Sequence, residues 1–281
     1  VNRDILVLGE GFIGGLLHRE LGCGISGAQI KTFRDAERAL EKYRPKIVIN
    51  CVSVTGKRNV DDCELEKDAT LLANSFVPVM LAEACLRRRI KLVHISSGCI
   101  FDFERKKDKP LKEESKNYYF KLFYSRSKIY AEEPLEALSG RYNILIVRIR
   151  IPLLNESHPG NILDKLIKYR KIIDVPNSVT YLPDFVRALK HLIKIDARGV
   201  YNVVNKGGLR YPELMKVYRR HVPGPGFEVV PMGKIGLTRT NLLLSASKLE
   251  KTGFKVREIH SVLEECVRGY VNSLHKGTKN N

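Results

Sequence analysis

Apolar positions along the chain come in short continuous runs, and each run is followed by a longer stretch with helical spacing. "DILVLG" precedes a helix from Phe12, "AQIKTF" a helix through Ala39, and "PKIVINCVSV" a helix across "TLLANSFVPVMLAEACLRR". "KLVHISS" then leads to a helix from Tyr124 through Leu138, and "YNILIVRI" closes the series. A strand that is apolar on both faces must be covered on both sides, and intervening helices supply the crossovers that parallel pairing needs. The pattern predicts an α/β fold built on a doubly wound parallel sheet. Beyond about residue 150 the spacing loosens, with Pro and Gly at "IPLLNESHPGN", "DVPNS" and "HVPGPGF", and short helices are expected towards the C-terminus.

Composition adds bounds rather than identity. At 281 residues and 43% hydrophobic, the chain can bury a large core in one big domain or two fused ones. Runs such as "ILVLG" and "KIVINCVSV" fall short of the roughly 18 residues a bilayer span needs, and "VNRDILVLGEG" enters a strand without a signal-peptide profile. A cytoplasmic protein with no membrane partner is expected. The six cysteines form no CxxC pair or His-Cys cluster, so neither a zinc site nor a disulfide framework is expected. The net charge of +18 suits polyanionic ligands. Its dense runs, "LRRRIK" and "ERKKDK", read as a helix end and a loop, and aromatic-rich basic stretches are missing, so nucleic acid is not the expected partner.

Two motifs carry chemistry. "LVLGEGFIGGLL" places Gly9, Gly11 and Gly14 as GxGxxG between a strand and a helix, with Phe12 and Ile13 opening the helix. Glycine there allows a tight turn and a close backbone approach to a pyrophosphate, which then meets the helix N-terminus. This predicts an NADP(H)-binding Rossmann domain over 1–150 with a return segment near 180–204, and a substrate lobe from 151–179 and 205–281. At the expected end of the second strand, Arg34, with Lys31 and Arg38 nearby, suits the 2′-phosphate of NADPH, whereas Asp35 would hold the ribose of NADH. The match of guanidinium to phosphate favours NADPH, with NADH as the alternative.

The second motif is "FYSRSK". Tyr124 and Lys128 are four apart and share a helix face, in the helix that follows the strand ending at Ser96 and Ser97. Reducing a ketone needs a hydride donor and an acid. Tyr124 can give a phenolic proton, Lys128 can favour the phenolate by its charge, and Ser97 can hydrogen-bond the carbonyl oxygen. Cys99, two residues on, reads from its position more often as an inert small hydrophobe than as a reactive thiol.

Together these elements resemble the extended short-chain dehydrogenase/reductase family over nearly the whole chain. Within it the chain is similar to the deoxysugar-nucleotide reductases, of which dTDP-4-dehydrorhamnose reductase is one group. It is also similar to the bifunctional nucleotide-rhamnose synthases (UDP-4-keto-6-deoxyglucose 3,5-epimerase/4-reductase). The match rests on "VTGKRNVDDCE", "SGCIFD", "FYSRSK", "IVRIRIP", "DVPNSVT" and "RTNLLLSASKL". The resemblance implies a UDP- or dTDP-4-keto-6-deoxyhexose substrate and leaves room for a homodimer. It implies Asn50 and Val52 beside the cofactor, Asn74 supporting the site, Arg239 and Asn241 on the diphosphate, and Asn177 and Ser178 along the nucleotide or sugar. It also implies Cys99 and Lys165 as an epimerising acid–base pair. Three positions depart from the group. Glu10 stands where a small or basic residue is usual, and Ser97 where threonine is common. Gly98-Cys99 replaces the Asp-Glu pair of the dehydratases, so 4,6-dehydration is not expected.

Overall fold

The computed structural model describes residues 2–102, 109–116, 118–234 and 241–277. The first strands and helices are β1 (Asn2–Leu8), α1 (Phe12–Leu21), β2 (Cys23–Ser26), α2 (Phe33–Tyr43) and β3 (Ile47–Asn50). Next come α3 (Lys67–Leu71), α4 (Val77–Arg87), β4 (Lys91–Ser97), α5 (Phe123–Ser139), β5 (Ile144–Ile149) and β6 (Pro152–Leu153). After these follow α6 (Ile162–Lys168), β7 (Lys171–Ile173), β8 (Thr180–Tyr181), α7 (Leu182–Lys194) and β9 (Gly199–Asn202). The series ends with α8 (Tyr211–His221), β10 (Glu228–Val230), α9 (Ser247–Glu250) and α10 (Ile259–Gly277).

The chain forms two compact units, one from the described residues of 1–102, 116–148 and 192–201, the other from those of 103–115, 149–191 and 202–281. The first is built on a six-stranded sheet ordered β2-β1-β3-β4-β5-β9, with β1 parallel to both neighbours and β3 parallel to β4. Its strands are buried because both faces are covered. Leu6, Leu8, Val48, Leu92 and Ile146 from the sheet pack with Leu40, Leu81, Ala84 and Leu135 from the helices. Register aligns Ser26, Leu8, Asn50 and His94 across four strands, so the segments that follow β1, β2 and β3 leave the sheet at one edge. The second unit has its own core, in which Leu153, Leu163, Tyr181, Leu214, Val262 and Cys266 pack together.

Two expectations are corrected. The second strand is Cys23–Ser26, not "AQIKTF". Asp35 accepts hydrogen bonds from the amides of Lys31 and Thr32, and Thr32 caps α2 through Asp35 N–H, so these amides serve a helix start rather than a ladder. The last helix is long, 19 residues over Ile259–Gly277, since Val262, Leu263, Cys266, Val267 and Tyr270 present a helical stripe to the second core. Lys67–Arg87, 21 residues, is by length and composition apolar enough to cross a membrane. Here half of that run is buried, and a π turn at Leu72–Phe76 interrupts it where it packs on α5.

Candidate active site

The glycine loop follows β1 with each glycine in a different circumstance. Gly9 has φ +99°, and a Cβ there would stand 2.9 Å from both Cys51 C and Val52 N. At Gly14 a Cβ would lie 1.8 Å from the Gly9 carbonyl oxygen, so α1 can seat on β1 only with glycine at that point. A Cβ on Gly11 would meet nothing within 4 Å. Gly11 is the N-cap of α1, no side chain caps the first turn, and no acidic residue lies in it. The space and the helix end fit a pyrophosphate group. Phe12 and Ile13, half-buried, begin the helix.

At the adenosine end, β2 stops at Ser26 and Arg34 sits exposed in the first turn of α2. The Asp35 carboxylate is engaged by Lys31 N, Thr32 N and Thr32 Oγ1, which hold it below the usual carboxylate range. A different acid reaches the end of β2. The Glu10 carboxylate lies against Gly27, where an added Cβ would stand 2.6 Å from its Oε2.

Beyond β3, Asn50 is fully buried, accepting from Val52 N–H at 3.1 Å, with its carboxamide nitrogen 3.2 Å from His94 Nδ1. Nε2 of His94 is buried without a hydrogen-bond partner among the described residues, and burial holds its pKa well below the ordinary imidazole value. The π turn presents Asn74 to two elements at once. Its Oδ1 accepts from Ser53 Oγ and Val54 N, and its Nδ2 donates to Val54 O and to Ser127 Oγ on α5. Single π turns inside α-helices are frequent at functional sites.

Ser97, Tyr124 and Lys128 come together at the carboxyl end of β4. Ser97 Oγ accepts from Cys99 N at 3.1 Å, and Ser125 Oγ donates to Cys99 O at 2.7 Å, binding the turn after β4 to the start of α5. The Lys128 ammonium stands 6.0 Å from the Tyr124 ring centroid. Burial raises the Tyr124 phenol above its ordinary value, against hydrogen bonds with the Ser97 and Ser53 hydroxyls. Burial lowers Lys128 to about 8, against the opposing charge of Glu132. Cys99 packs in the small cluster of Cys63, Tyr119, Leu122 and Tyr124. Cys51, after β3, is pushed up to about 12 by burial.

Other expected residues lie in the second unit. Lys165 is half-buried in the last turn of α6. Asn177 and Ser178 are buried and occupied internally. Asn177 Oδ1 accepts from Arg150 Nη2 and Leu242 N, its Nδ2 donates to Asn241 Oδ1 at 2.7 Å, and Ser178 Oγ accepts from Leu244 N at 2.8 Å. Their contacts fasten the 241–244 segment. Arg239 lies outside the described residues. The sequence reading missed Glu132 and Arg148, and gave Glu10 only as a departure from the related group. Arginine inside the apolar run "ILIVRI" was the available signal for a buried charged group.

Comparison with known proteins bears on this arrangement. A family model described as the RmlD substrate binding domain matches residues 15–210. The bifunctional dTDP-4-dehydrorhamnose 3,5-epimerase/dTDP-4-dehydrorhamnose reductase of Arabidopsis thaliana is 29% identical over 285 residues, covering 94% of this chain and 91% of that protein. The chain spans only 36% of a trifunctional UDP-glucose 4,6-dehydratase/UDP-4-keto-6-deoxy-D-glucose 3,5-epimerase/UDP-4-keto-L-rhamnose-reductase of the same plant, at 29% identity over 85% of this chain. The structure of the L780 UDP-rhamnose synthase of Acanthamoeba polyphaga mimivirus is similar with a TM-score of 0.86, at 24% identity over 94% of this chain and 98% of that one. That of dTDP-4-dehydrorhamnose reductase from Bacillus anthracis in complex with NADP gives 0.81, at 21% identity over 95% and 98%. These structures share the fold.

Proposed function

Since the chain belongs to the RmlD substrate-binding domain family, we propose that it reduces a nucleotide-linked 4-keto-6-deoxyhexose to a rhamnose-type nucleotide sugar. The observation that carries this reading is the convergence of Ser97, Tyr124 and Lys128 at the end of β4, in the unit that also holds the glycine loop. When bound, NADPH supplies the hydride that adds to C4 of the sugar. Gly9, Gly11, Phe12, Ile13 and Gly14 would hold its pyrophosphate, Arg34 its 2′-phosphate, and Asn50 and Val52 would flank it. Ser97 hydrogen-bonds the C4 oxygen, and Tyr124 donates its phenolic proton to that oxygen as charge develops there. The phenolate left on Tyr124 is stabilised by the Lys128 ammonium until a proton from solvent replaces the one given.

The 3,5-epimerase activity in the name of the Arabidopsis relative, with Cys99 packed beside Tyr124, supports a second activity at the same carbonyl. A 4-keto group acidifies C3–H and C5–H, so a base on one ring face and an acid on the other invert both centres, and Cys99 and Lys165 are the residues for these roles. On the substrate, Arg239 and Asn241 would meet the diphosphate, with Asn177 and Ser178 holding the neighbouring segment.

The test is incubation with UDP- or dTDP-4-keto-6-deoxyglucose and NADPH, with NMR of the product sugar. Tyr124→Phe is expected to lose reduction by at least about a thousandfold while dinucleotide affinity stays within about threefold, because the proton is needed only in the transition state. Full turnover by that variant removes Tyr124 from the mechanism. For epimerisation, wild type in D2O without NADPH should exchange deuterium into C3 and C5, and Cys99→Ala should stop that exchange while still reducing a pre-epimerised substrate. No exchange by the wild type leaves a reductase alone.

A further inference from the structure

One helical turn beyond Lys128, the Glu132 side chain is as deeply buried as the lysine, each 2% exposed. Two strands hold its carboxylate. Ser96 on β4 donates its hydroxyl to Oε2, and Arg148 on β5 donates Nε to Oε1 at 2.5 Å, with Nη2 completing the ion pair. Arg148 is itself fully buried, its guanidinium 4.8 Å from the Phe101 ring centroid. The proton transfers above use neither residue. Burying an ion pair costs desolvation that the mutual attraction does little more than offset, so stability alone is a poor reason for one inside an apolar strand.

We propose that Glu132 is a positioning residue for the reduction, whose carboxylate locks α5 against β4 and β5 so that Tyr124 and Lys128 face Ser97, and whose charge keeps Lys128 an ammonium. This rests on the role given to Lys128 above. The geometry serves both parts. Ser96 is the chain neighbour of Ser97, so the bond that holds Glu132 also ties the strand carrying one site hydroxyl to the helix carrying the phenol and the amine. The titratable groups facing Lys128 are Glu132 and Tyr124 from α5, His94 from β4, Cys51 after β3, Cys63 from the 60–64 turn and Cys99 from the turn after β4. Glu132 is the one carboxylate in that set. Burial holds His94 neutral and raises the Cys51 and Cys63 thiols, so Glu132 is the counter-charge to the ammonium.

The direct test follows the Lys128 side chain by NMR in protein labelled at lysine Cε and Nζ, its signal identified by loss in Lys128→Arg. Glu132→Gln keeps the shape and removes the charge. Its Lys128 midpoint is expected to fall by about one pH unit, a tenfold change in the protonation equilibrium, and the alkaline limb of kcat should fall with it while KM for the sugar stays within about twofold. Glu132→Asp should bring the midpoint most of the way back even if kcat stays low. A merely structural role would lower kcat at every pH and leave the limb in place. An unmoved midpoint in the Gln variant overturns the proposal. Should that variant not fold, the comparison is made in the absence of the guanidinium, where Glu132→Gln together with Arg148→Met leaves neither half of the ion pair buried alone: its Lys128 midpoint should lie below that of Arg148→Met alone, and equal midpoints overturn the proposal. A wild type that fails to reduce the keto sugar counts against the functional reading instead, and the NMR midpoint still decides whether Glu132 holds the charge on Lys128.

Discussion

At the scale of single residues, Lys128 shows a cost of burial that the role proposed for it would explain. Its ordinary value of 10.5 falls to about 8 in the folded chain because burial disfavours the ammonium. The sign follows from linkage. Below pH 8 the amine is charged in both folded and unfolded states, and the desolvation cost is constant. Between 8 and 10.5 the unfolded chain binds more protons, so stability rises with pH across that window. Lys128→Met removes the penalty, and is expected to stabilise the protein at pH 7 by on the order of 2 to 3 kcal/mol while abolishing reduction. Denaturant unfolding of both proteins at pH 7 and pH 10 checks this, with the advantage of the variant shrinking at the higher pH. An equal advantage at both pH values would show that Lys128 loses no charge on folding. Residues of this kind were legible in the sequence where their spacing had a period: Tyr124 and Lys128 share a face because they are four apart. Asn74 came from resemblance alone. Glu132 and Arg148 stayed hidden because they meet through the fold, from a helix and a strand 16 residues apart.

At the scale of elements, the glycine loop separates two reasons for glycine that one motif conceals. Gly14 is required by the protein itself, since a Cβ would lie 1.8 Å from the Gly9 carbonyl oxygen. Gly11 is not, since its Cβ would meet open space and its φ of −70° suits any residue. Gly14→Ala is therefore expected to destabilise by several kcal/mol through displacement of α1 from β1, within the range of overpacked cores. Gly11→Ala should leave the melting temperature within about 2 °C and lower dinucleotide affinity by tenfold or more, because the methyl enters the space fitted to the pyrophosphate. Thermal melts and fluorescence titration with NADPH separate the two. Unchanged affinity in Gly11→Ala would mean the phosphates lie elsewhere. The alternation of strands and helices along the first unit was legible from continuous apolar runs, and β2 was not. Cys23–Ser26 is only four residues long, and "AQIKTF" imitates a strand although Asp35 takes its last amides into a helix cap. The π turn within Lys67–Arg87 leaves no mark in the hydrophobic pattern. The boundary at 148–149 lies near where the apolar spacing loosens, while the assignment of the described residues 109–115 to the second unit had no local signal.

At the scale of the whole molecule, a net charge of +18 draws dinucleotides and nucleotide sugars alike, so it cannot decide which dinucleotide is held. That choice falls to a few charges at the end of β2, and there the chain opposes itself. Arg34 is exposed on the first turn of α2 and offers a fork of donors to a 2′-phosphate. Glu10, against Gly27, brings a carboxylate to the place from which an acidic residue holds a ribose diol, and it repels a phosphate there. Asp35 is not a competitor, because its oxygens are already committed to Thr32 and Lys31. The two opposing residues predict changes of opposite sign. Arg34→Ala should weaken NADPH by roughly tenfold or more and leave NADH within about twofold, as expected for loss of a charge-assisted phosphate contact. Glu10→Gln should tighten NADPH several-fold, with the gain screened away as ionic strength rises, and should weaken NADH if the carboxylate holds its ribose. Dissociation constants for both dinucleotides, measured at low and high salt for the two variants and for the pair combined, decide the matter. Equal effects of each substitution on NADPH and NADH would place the 2′ position away from both residues and leave Arg34 as one more solvated charge.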